Sequence, residues 1–424
     1  MLKEFRVANF KSIQKEQVFT MEACPKTVVS EYPEHVIEVG EERLLKVTSI
    51  YGPNGGGKSN LFKALSTLAF VINQKTLLND SIKNQNYYPK IYLKAKETSL
   101  AMFIINGGYE IGYSLLLDLN NLQQVMFAVP PQTSWVVDYI IVKEELIYRK
   151  LGEQDFETMF ERNADGVVSS EILNDIDLVK NGRPLAKNAT FLKYFNDVFV
   201  MDHTNADANP MFFFYQEFNA YAWLRREFRA FSFSKNDVDR LSPCLPKAVE
   251  ILNSLDMRIL NLVFKEENPG FYQLYIERET KDNGNILIPV MNESSGTIKT
   301  INIVFDVLSS KNNCVFLADD FDAHLHPKLL RAIVELFTAE SNKTRQLIFN
   351  SHDIINMSNK LFRRDEIWFA YRDEDYSTQY VPLSNIVNYK GEMIRKDAVY
   401  GKQYLEGRFG ADPFIKKGLS WCDE

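Results

Sequence analysis

Residues 52–59 read Gly52-Pro53-Asn54-Gly55-Gly56-Gly57-Lys58-Ser59, a glycine-rich segment between two apolar patterns. The apolar run at residues 44–50 predicts a buried strand, and residues 60–72 have the period of a helix. A strand, a glycine-rich loop and a helix in this order are the context that a phosphate-binding loop requires. A glycine-rich turn without a ligand is the alternative, but it does not account for all three elements in order.

The residues of this loop have distinct expected roles in binding ATP. Glycines allow backbone N–H groups to turn toward phosphates, and the helix N-terminus adds partial positive charge. Lys58 is expected to reach the β- and γ-phosphates, and the Ser59 hydroxyl to bind Mg²⁺. The predicted nucleotide-binding residues of this segment are Gly52, Pro53, Asn54, Gly55, Gly56, Gly57, Lys58, Ser59 and Asn60.

The composition favours a large globular protein without a membrane span. The chain has 424 residues, of which 45% are hydrophobic and 13% aromatic, enough to bury a large core. Charged residues or glycine interrupt the apolar runs, and the N-terminus does not have the pattern of a signal peptide. The four cysteines are too scattered for a disulfide framework or a zinc knuckle, and we expect a reducing, cytoplasmic environment.

The charge balance does not indicate a nucleic-acid-binding protein. The formal net charge of −7 gives no general basic footprint, so contact with DNA or RNA would need a local patch or a partner. One candidate patch combines aromatic residues at helical spacing with arginines, and it predicts either a single-strand surface or a core stripe with a solvated face. Its residues are Phe214, Phe218, Tyr221, Phe228, Arg225, Arg226 and Arg229.

Two β-hairpins are predicted from turn residues between alternating apolar positions. Asn106-Gly107-Gly108 separates residues 100–105 from 109–117, and Asp282-Asn283-Gly284 separates residues 271–277 from 285–290. A further β segment is expected at residues 135–148. The first hairpin and this segment predict an antiparallel layer beside the nucleotide.

An acidic pair in the second half of the chain supplies the carboxylates that a phosphate-binding loop needs for Mg²⁺ and for the attacking water. The apolar run at residues 313–318 predicts a buried strand that ends in Asp319 and Asp320. Asp319 at this strand end is expected to hold the Mg²⁺ shell opposite Ser59. Asp320 is placed to orient or deprotonate the attacking water, which makes it a candidate catalytic residue together with Lys58.

Two further segments flank this acidic pair. Ser294, Ser295, Gly296 and Thr297 precede an apolar helix, where they either present hydroxyls and N–H groups to a phosphate or serve only as an N-cap. His352 follows a predicted strand at residues 346–350 and is a candidate sensor of the γ-phosphate. Ser351-His352-Asp353 is not a hydrolase triad, because a triad needs side chains that converge in space. His324 and His326 lack the further ligands of a zinc site.

These motifs together resemble those of ABC-type ATPases of the SMC/RecF/OLD branch. The resemblance rests on residues 52–59, 293–297, 319–327 and 350–353. Residues 363–369 and 404–413 are similar more narrowly to the RloA/AbiL group of ATPases, which are linked to restriction and abortive-infection loci. The resemblance implies an α/β fold, in which an ABC-type P-loop ATPase head with a mixed core sheet and an antiparallel β layer carries a helical insertion.

The resemblance also implies a division of the chain into four parts. Residues 1–154 are expected to form the N-terminal half of the head, and residues 155–265 a mainly helical insertion or lid. Residues 266–395 are expected to form the C-terminal half with the signature segment, the acidic pair and His352. Residues 396–424 remain as a C-terminal tail.

In such ATPases, two heads trap two ATP molecules, each between the phosphate loop of one protomer and the signature segment of the other. The resemblance therefore implies a homodimer or a higher oligomer, with residues 294–297 acting in trans and His352 as the switch histidine. Asp322 falls in the segment that crosses between heads, and residues 9–12 are expected near the adenine. We also expect a separately encoded effector, most simply a nuclease, and a phage protein as trigger, in a toxin–antitoxin-like defence system.

One residue departs from the family pattern. Asp320 stands where the family has glutamate, and its shorter side chain moves the carboxylate about an ångström from the attacking water, a misplacement that costs on the order of 10²-fold in rate. Slow hydrolysis and a long-lived ATP-bound state are expected. The alternatives are a RecF- or SMC-like DNA-repair ATPase, with salt-sensitive DNA binding, and a scaffold that binds ATP without hydrolysing it.

Overall fold

The computed structural model describes residues 1–73, 97–118, 122–123, 136–137, 139–199, 210–219, 222–224, 233–280, 284–310, 314–387, 391 and 393–410. The strands are β1 Leu2–Ala8, β2 Gln17–Thr20, β3 Val36–Val39, β4 Glu42–Leu45, β5 Val47–Tyr51, β6 Thr98–Asn106, β7 Tyr109–Asp118, β8 Leu122–Gln123, β9 Val136–Val137, β10 Ile140–Lys150, β11 Glu157–Arg162, β12 Val168–Ser169, β13 Ala222–Leu224, β14 Asn261–Asn268, β15 Phe271–Thr280, β16 Gly284–Pro289, β17 Val315–Ala318, β18 Gln346–Asn350, β19 Ile367–Arg372 and β20 Thr378–Pro382. The helices are α1 Lys58–Asn73, α2 Asp177–Lys180, α3 Phe191–Phe199, α4 Pro210–Asn219, α5 Lys235–Leu241, α6 Leu245–Ser254, α7 Ser295–Ser309, α8 Pro327–Thr338 and α9 Tyr400–Leu405.

A six-stranded mixed sheet carries the segments of interest. Its order is β13-β17-β18-β5-β19-β20, and every pair is parallel except β19 with β20. The central strands β5, β17 and β18 are buried along their whole length, as the continuous apolar runs predict for a parallel sheet covered on both faces. The carboxyl ends of these three strands therefore meet at one edge of the sheet.

A seven-stranded antiparallel sheet lies against the first face of the mixed sheet. Its order is β12-β11-β10-β7-β6-β1-β2. The largest core joins residues of this sheet with α1 and with residues of β17, β18, β19 and β20. Gln346 in β18 links the two sheets, because its buried amide accepts a hydrogen bond from Leu2 N–H (2.7 Å) and donates to the Leu2 carbonyl (3.0 Å).

Smaller cores lie elsewhere in the described part of the chain. On the second face of the mixed sheet, α8 and α9 pack with Phe369, whose ring lies 5.6 Å from that of Tyr404 and 5.1 Å from that of Phe409. A third core joins α5, α6 and α7 with the three-stranded sheet β14-β15-β16. Of the tail motif, Tyr404 and Phe409 thus belong to the core on the second face of the mixed sheet, and residues 405–408 are exposed. Residues 411–413 lie outside the described residues.

The hairpin predictions are confirmed, and the buried strand predicted before the glycine-rich loop is present, but it begins at Val47 and not at Leu44. β6 pairs with β7 and β15 with β16, both antiparallel. Residues 44–50 are divided at Lys46, because β4 pairs with β3 whereas β5 pairs with β18 and β19. Lys46 is buried, and its ammonium donates to the Ala339 carbonyl (2.9 Å) after α8. An apolar run gives no sign of such a break.

The predicted boundary near residue 154 falls inside one sheet. β10 and β11, which lie on either side of it, pair with each other in an antiparallel ladder. The described residues from 155 to 265 contain α2, α3, α4, α5 and α6, together with four strands. The division of the chain into four parts stays a prediction.

A buried ion pair fixes the N-terminal segment to the strand beside the glycine-rich loop. The Arg363 side chain is 1% exposed and donates to both Asp365 oxygens, at 2.9 and 2.8 Å. It also donates to the Glu31 carbonyl, while the Cys24 N–H donates to Asp365. Residues 363–369 carry part of the family resemblance. The contacts of Arg363 and Asp365 in this segment stabilise the fold.

We expect the Arg363→Met variant to lose about 3–5 kcal/mol of stability, because it leaves the Asp365 carboxylate buried without its cation. Arg395 and Asp397 form a matched control at the same spacing, since both side chains are mostly exposed. Arg395→Met should cost at most about 1 kcal/mol. The midpoint of urea unfolding compares the two variants, and equal losses would contradict the assignment.

Candidate nucleotide-binding and hydrolysis site

The glycine-rich loop packs so closely on the neighbouring strands that side chains are excluded. A Cβ at Gly52 would lie 2.0 Å from the Ala370 carbonyl oxygen, and one at Gly57 would lie 2.3 Å from Thr378 Oγ1. Both glycines have positive φ, +151° and +106°. Gly55 also has positive φ, but no described atom lies within 4 Å of a Cβ built there. The loop is therefore fixed on its strand side and open at its crest.

The Lys58 side chain is oriented by the loop itself. Its ammonium donates to the carbonyl oxygens of Gly52 (2.8 Å) and Pro53 (3.0 Å), and the residue is 5% exposed. Burial lowers the pKa of Lys58, while the carboxylates of Asp320, Asp322 and Asp319 act in the opposite direction. The nearby carboxylates thus favour the charged form that a phosphate site needs.

Ser59 and Asp319 meet across 260 residues of sequence. The Ser59 hydroxyl donates to Asp319 Oδ1 at 2.8 Å, and the Asn350 amide donates to the same oxygen at 2.5 Å. Hydroxyl and carboxylate oxygens are ligands that Mg²⁺ prefers, and the ion takes its other ligands from water and phosphate. The donors present therefore fit Mg²⁺. Within the described ranges, no group of three or more His, Cys, Asp or Glu residues is arranged to hold a metal by itself.

Asp320 is held in a strained backbone conformation next to Asp319. Its φ of +50° lies in the left-handed region, which non-glycine residues rarely adopt. Its N–H donates to the Asn350 side-chain oxygen, and the next N–H, of Phe321, donates to the Asn350 carbonyl at 3.0 Å. Asn350 thus bridges both acidic residues. Asn350 belongs to the motif at residues 350–353, but its contacts with both acidic residues could not be predicted from that motif.

His352 lies at the end of β18, on the same edge as Asp320. Its N–H donates to Asp322 Oδ2 at 3.2 Å, and its ring is partly exposed. Partial burial, together with the Lys58 ammonium, lowers the pKa of His352 below its usual value of about 6.5. The imidazole is therefore neutral at pH 7, and a neutral ring both donates and accepts one hydrogen bond.

The predicted signature segment forms the N-terminus of α7. Ser294 is exposed and caps the helix, since its Oγ accepts from Thr297 N–H at 3.2 Å. Gly296 lies against the His324 carbonyl, where a Cβ would approach to 2.6 Å. The capping function is thus present, and phosphate binding by Ser294, Ser295, Gly296 and Thr297 stays a prediction.

The turn at residues 9–12 lies beside the loop. Ser12 Oγ accepts from the Asn60 amide (2.7 Å) and shares a hydrogen bond with Thr378 Oγ1 (2.6 Å). Thr378 in turn donates to the Gly56 carbonyl at 3.2 Å. Sequence reasoning did not find Thr378, since a threonine in an edge strand has no distinguishing pattern.

The candidate aromatic and arginine patch lies partly outside the described residues. Phe214 is buried in α4, with its ring 5.1 Å from that of Tyr113, which agrees with the core interpretation at that position. The arginines of the same patch, Arg225, Arg226 and Arg229, lie outside the described residues. None of the described helices is both long enough and apolar enough to cross a membrane.

Family comparison agrees with this geometry. The model of the family described as "AAA domain, putative AbiEii toxin, Type IV TA system" matches residues 47–357. The chain belongs to this AAA-domain family. The match spans the glycine-rich loop, the signature segment, the acidic pair and His352. Together with the mixed core sheet and the antiparallel layer, it confirms the predicted α/β head of an ABC-type P-loop ATPase.

Solved structures provide more distant similarities to this member of the AAA-domain family, whereas no curated protein matches it. The SMC head domain from Thermotoga maritima is 13% identical with a TM-score of 0.39, over 90% of this chain and 98% of that chain. An SMC head bound to the C-winged helix domain of ScpA is 15% identical with a TM-score of 0.43, over 90% and 96%. An SMC head bound to the C-terminal domain of ScpA derived from Pyrococcus furiosus is 14% identical with a TM-score of 0.41, over 90% and 95%.

Proposed function

We propose that this chain binds and hydrolyses ATP as an ABC-type ATPase of a prokaryotic anti-phage system. The observation that carries the proposal is the convergence of Lys58, Ser59, Asp319 and Asp320 at one edge of the mixed sheet. Polar and charged groups at the carboxyl edge of parallel strands are the usual position of a ligand site in such sheets. Membership of the AAA-domain family supports the same substrate.

Each residue of the site has one part in the proposed reaction. The loop from Gly52 to Ser59, with Asn60, receives the phosphates, and Lys58 stabilises negative charge on the β- and γ-phosphates. Ser59 and Asp319 hold Mg²⁺, which when bound supplies positive charge to the phosphate oxygens. Asp320 accepts a proton from the attacking water, and neutral His352 donates a hydrogen bond to the γ-phosphate.

The active form is proposed to be a homodimer in which two heads enclose two ATP molecules. The exposed N-terminal cap of α7 at Ser294 supports this arrangement, since the dipole of a helix attracts phosphate to its N-terminus. This segment of one copy would complete the site of the other. The assembly is proposed to control a separately encoded effector, a nuclease, as in the RloA/AbiL group. The family description, which names a putative AbiEii toxin and a type IV TA system, supports the defence role.

Light scattering with nucleotide analysis tests the dimer and the substrate together. The purified chain of 49.1 kDa is expected to double in mass with Mg²⁺ and ATP, and to return to the smaller mass as ATP is hydrolysed. The Lys58→Ala variant is expected to stay at the smaller mass. A chain that binds no ATP would overturn the proposal. Bound ATP without turnover would replace it with a scaffold that uses ATP only to hold an assembly.

A further inference from the structure

The turn that follows Asp320 needs support from its neighbours. Two of its residues with side chains, Asp320 (φ +50°) and His324 (φ +66°), have left-handed backbones. Such conformations cost free energy and persist only where surrounding contacts hold them. On one side, Asn350 and the His352 N–H bind the turn from the end of β18.

On the other side, the support comes from a buried lysine of α7. Lys299 is 7% exposed, and its ammonium donates to the carbonyl oxygens of Ala323 (2.8 Å), Phe321 (2.9 Å) and Asp320 (3.3 Å). An ammonium has three donors and a full charge, so these bonds are stronger than those of a neutral group. The same ammonium lies 5.7 Å from the centre of the Phe321 ring.

The helix that carries Lys299 begins at the predicted signature segment. Ser294 caps it, and Gly296 in its first turn packs against the His324 carbonyl, where a Cβ would approach to 2.6 Å. α7 therefore touches the turn at two points, through Gly296 and through Lys299. A shift of α7 along or around its axis must move the backbone of Asp320 as well.

We propose that Lys299 is a positioning residue that sets the Asp320 carboxylate and couples it to the signature segment of its own chain. This inference rests on the proposed function, since residues 294–297 of one copy then face the ATP bound by the other copy. ATP bound by one copy shifts α7 of the other, and Lys299 transfers the shift to Asp320 there. The two sites consequently hydrolyse ATP cooperatively.

A double-mutant cycle separates this role from a merely structural one. Lys299→Met keeps the unbranched apolar stem of the side chain and removes the donors, and it should lower kcat about tenfold or more while KM is retained. It should also bring the Hill coefficient for ATP toward 1. In an Asp320→Asn background, the same change should have no further effect on residual turnover, because Lys299 acts through Asp320. Lys247→Met, on the exposed face of α6, is the control.

An unchanged kcat in Lys299→Met, or an equal loss in both backgrounds, overturns the proposal. Hydrogen exchange gives a second readout that does not need turnover. On addition of ATP and Mg²⁺, residues 52–59 should become protected in both proteins, and residues 320–325 only in the wild type. Protection of residues 320–325 in Lys299→Met would also overturn it. A wild type that gains no protection at residues 52–59 would overturn this proposal together with the proposed function.

Discussion

The Lys58→Ala variant is expected to lose Mg²⁺-dependent ATP turnover by about 10²- to 10³-fold, the size of effect that one preorganised charge has in an active site. The ammonium is held in the glycine-rich loop by hydrogen bonds to the carbonyl oxygens of Gly52 and Pro53. Its position therefore costs little reorganisation when negative charge develops on the phosphates. Phosphate release at saturating ATP measures turnover, and the nucleotide retained by the protein is quantified in the same samples.

Lys63→Ala is the matched control for this change. Lys63 lies on the same helix, α1, but its side chain is exposed, so its removal should leave turnover and bound nucleotide unchanged. A melting curve of each variant shows whether α1 is still folded. Turnover that survives in Lys58→Ala would mean that the glycine-rich loop does not bind the phosphates of the hydrolysed nucleotide.

The local parts of the site could be predicted from the sequence. The loop at residues 52–59 carries its geometry in its own glycines, and the apolar runs before Asp319 and after Arg345 predict β17 and β18 directly. The Ser59–Asp319 contact was also predictable, because both side chains follow strands that end at the same edge of the sheet and suit the same ion. Chemistry that depends on a short pattern is thus visible in one sequence.

The parts that depend on tertiary packing could not be predicted. Asn350 bridges Asp319 and Asp320 only because β18 lies next to β17. Lys299 reads as one more residue of an amphipathic helix until the fold places the turn after Asp320 over it. The apolar run at residues 44–50 is similarly divided because β4 and β5 take partners in different sheets. In each case the partner lies far away in the sequence, so no local pattern records the contact.

We expect Asp320→Glu to raise ATP turnover, on the order of 10²-fold, because one added methylene moves the carboxylate about an ångström toward the attacking water. The backbone of Asp320 is fixed by Asn350 and by Lys299, so the turn cannot move forward to compensate for the shorter side chain. Phosphate release at saturating ATP checks this expectation. Asp239→Glu, which adds the same methylene at an exposed position of α5, is the matched control.

The direction of this change distinguishes two uses of ATP. If turnover rises in Asp320→Glu and falls to a low residual rate in Asp320→Asn, then Asp320 is the base and its length limits the rate. The ATP-bound dimer of the wild type should then last longer than that of Asp320→Glu. A switch that keeps its state until a partner acts needs such a long lifetime. If Asp320→Glu turns over no faster than the wild type, the shorter carboxylate is already correctly placed. Slow hydrolysis could then not be the means by which the assembled state persists.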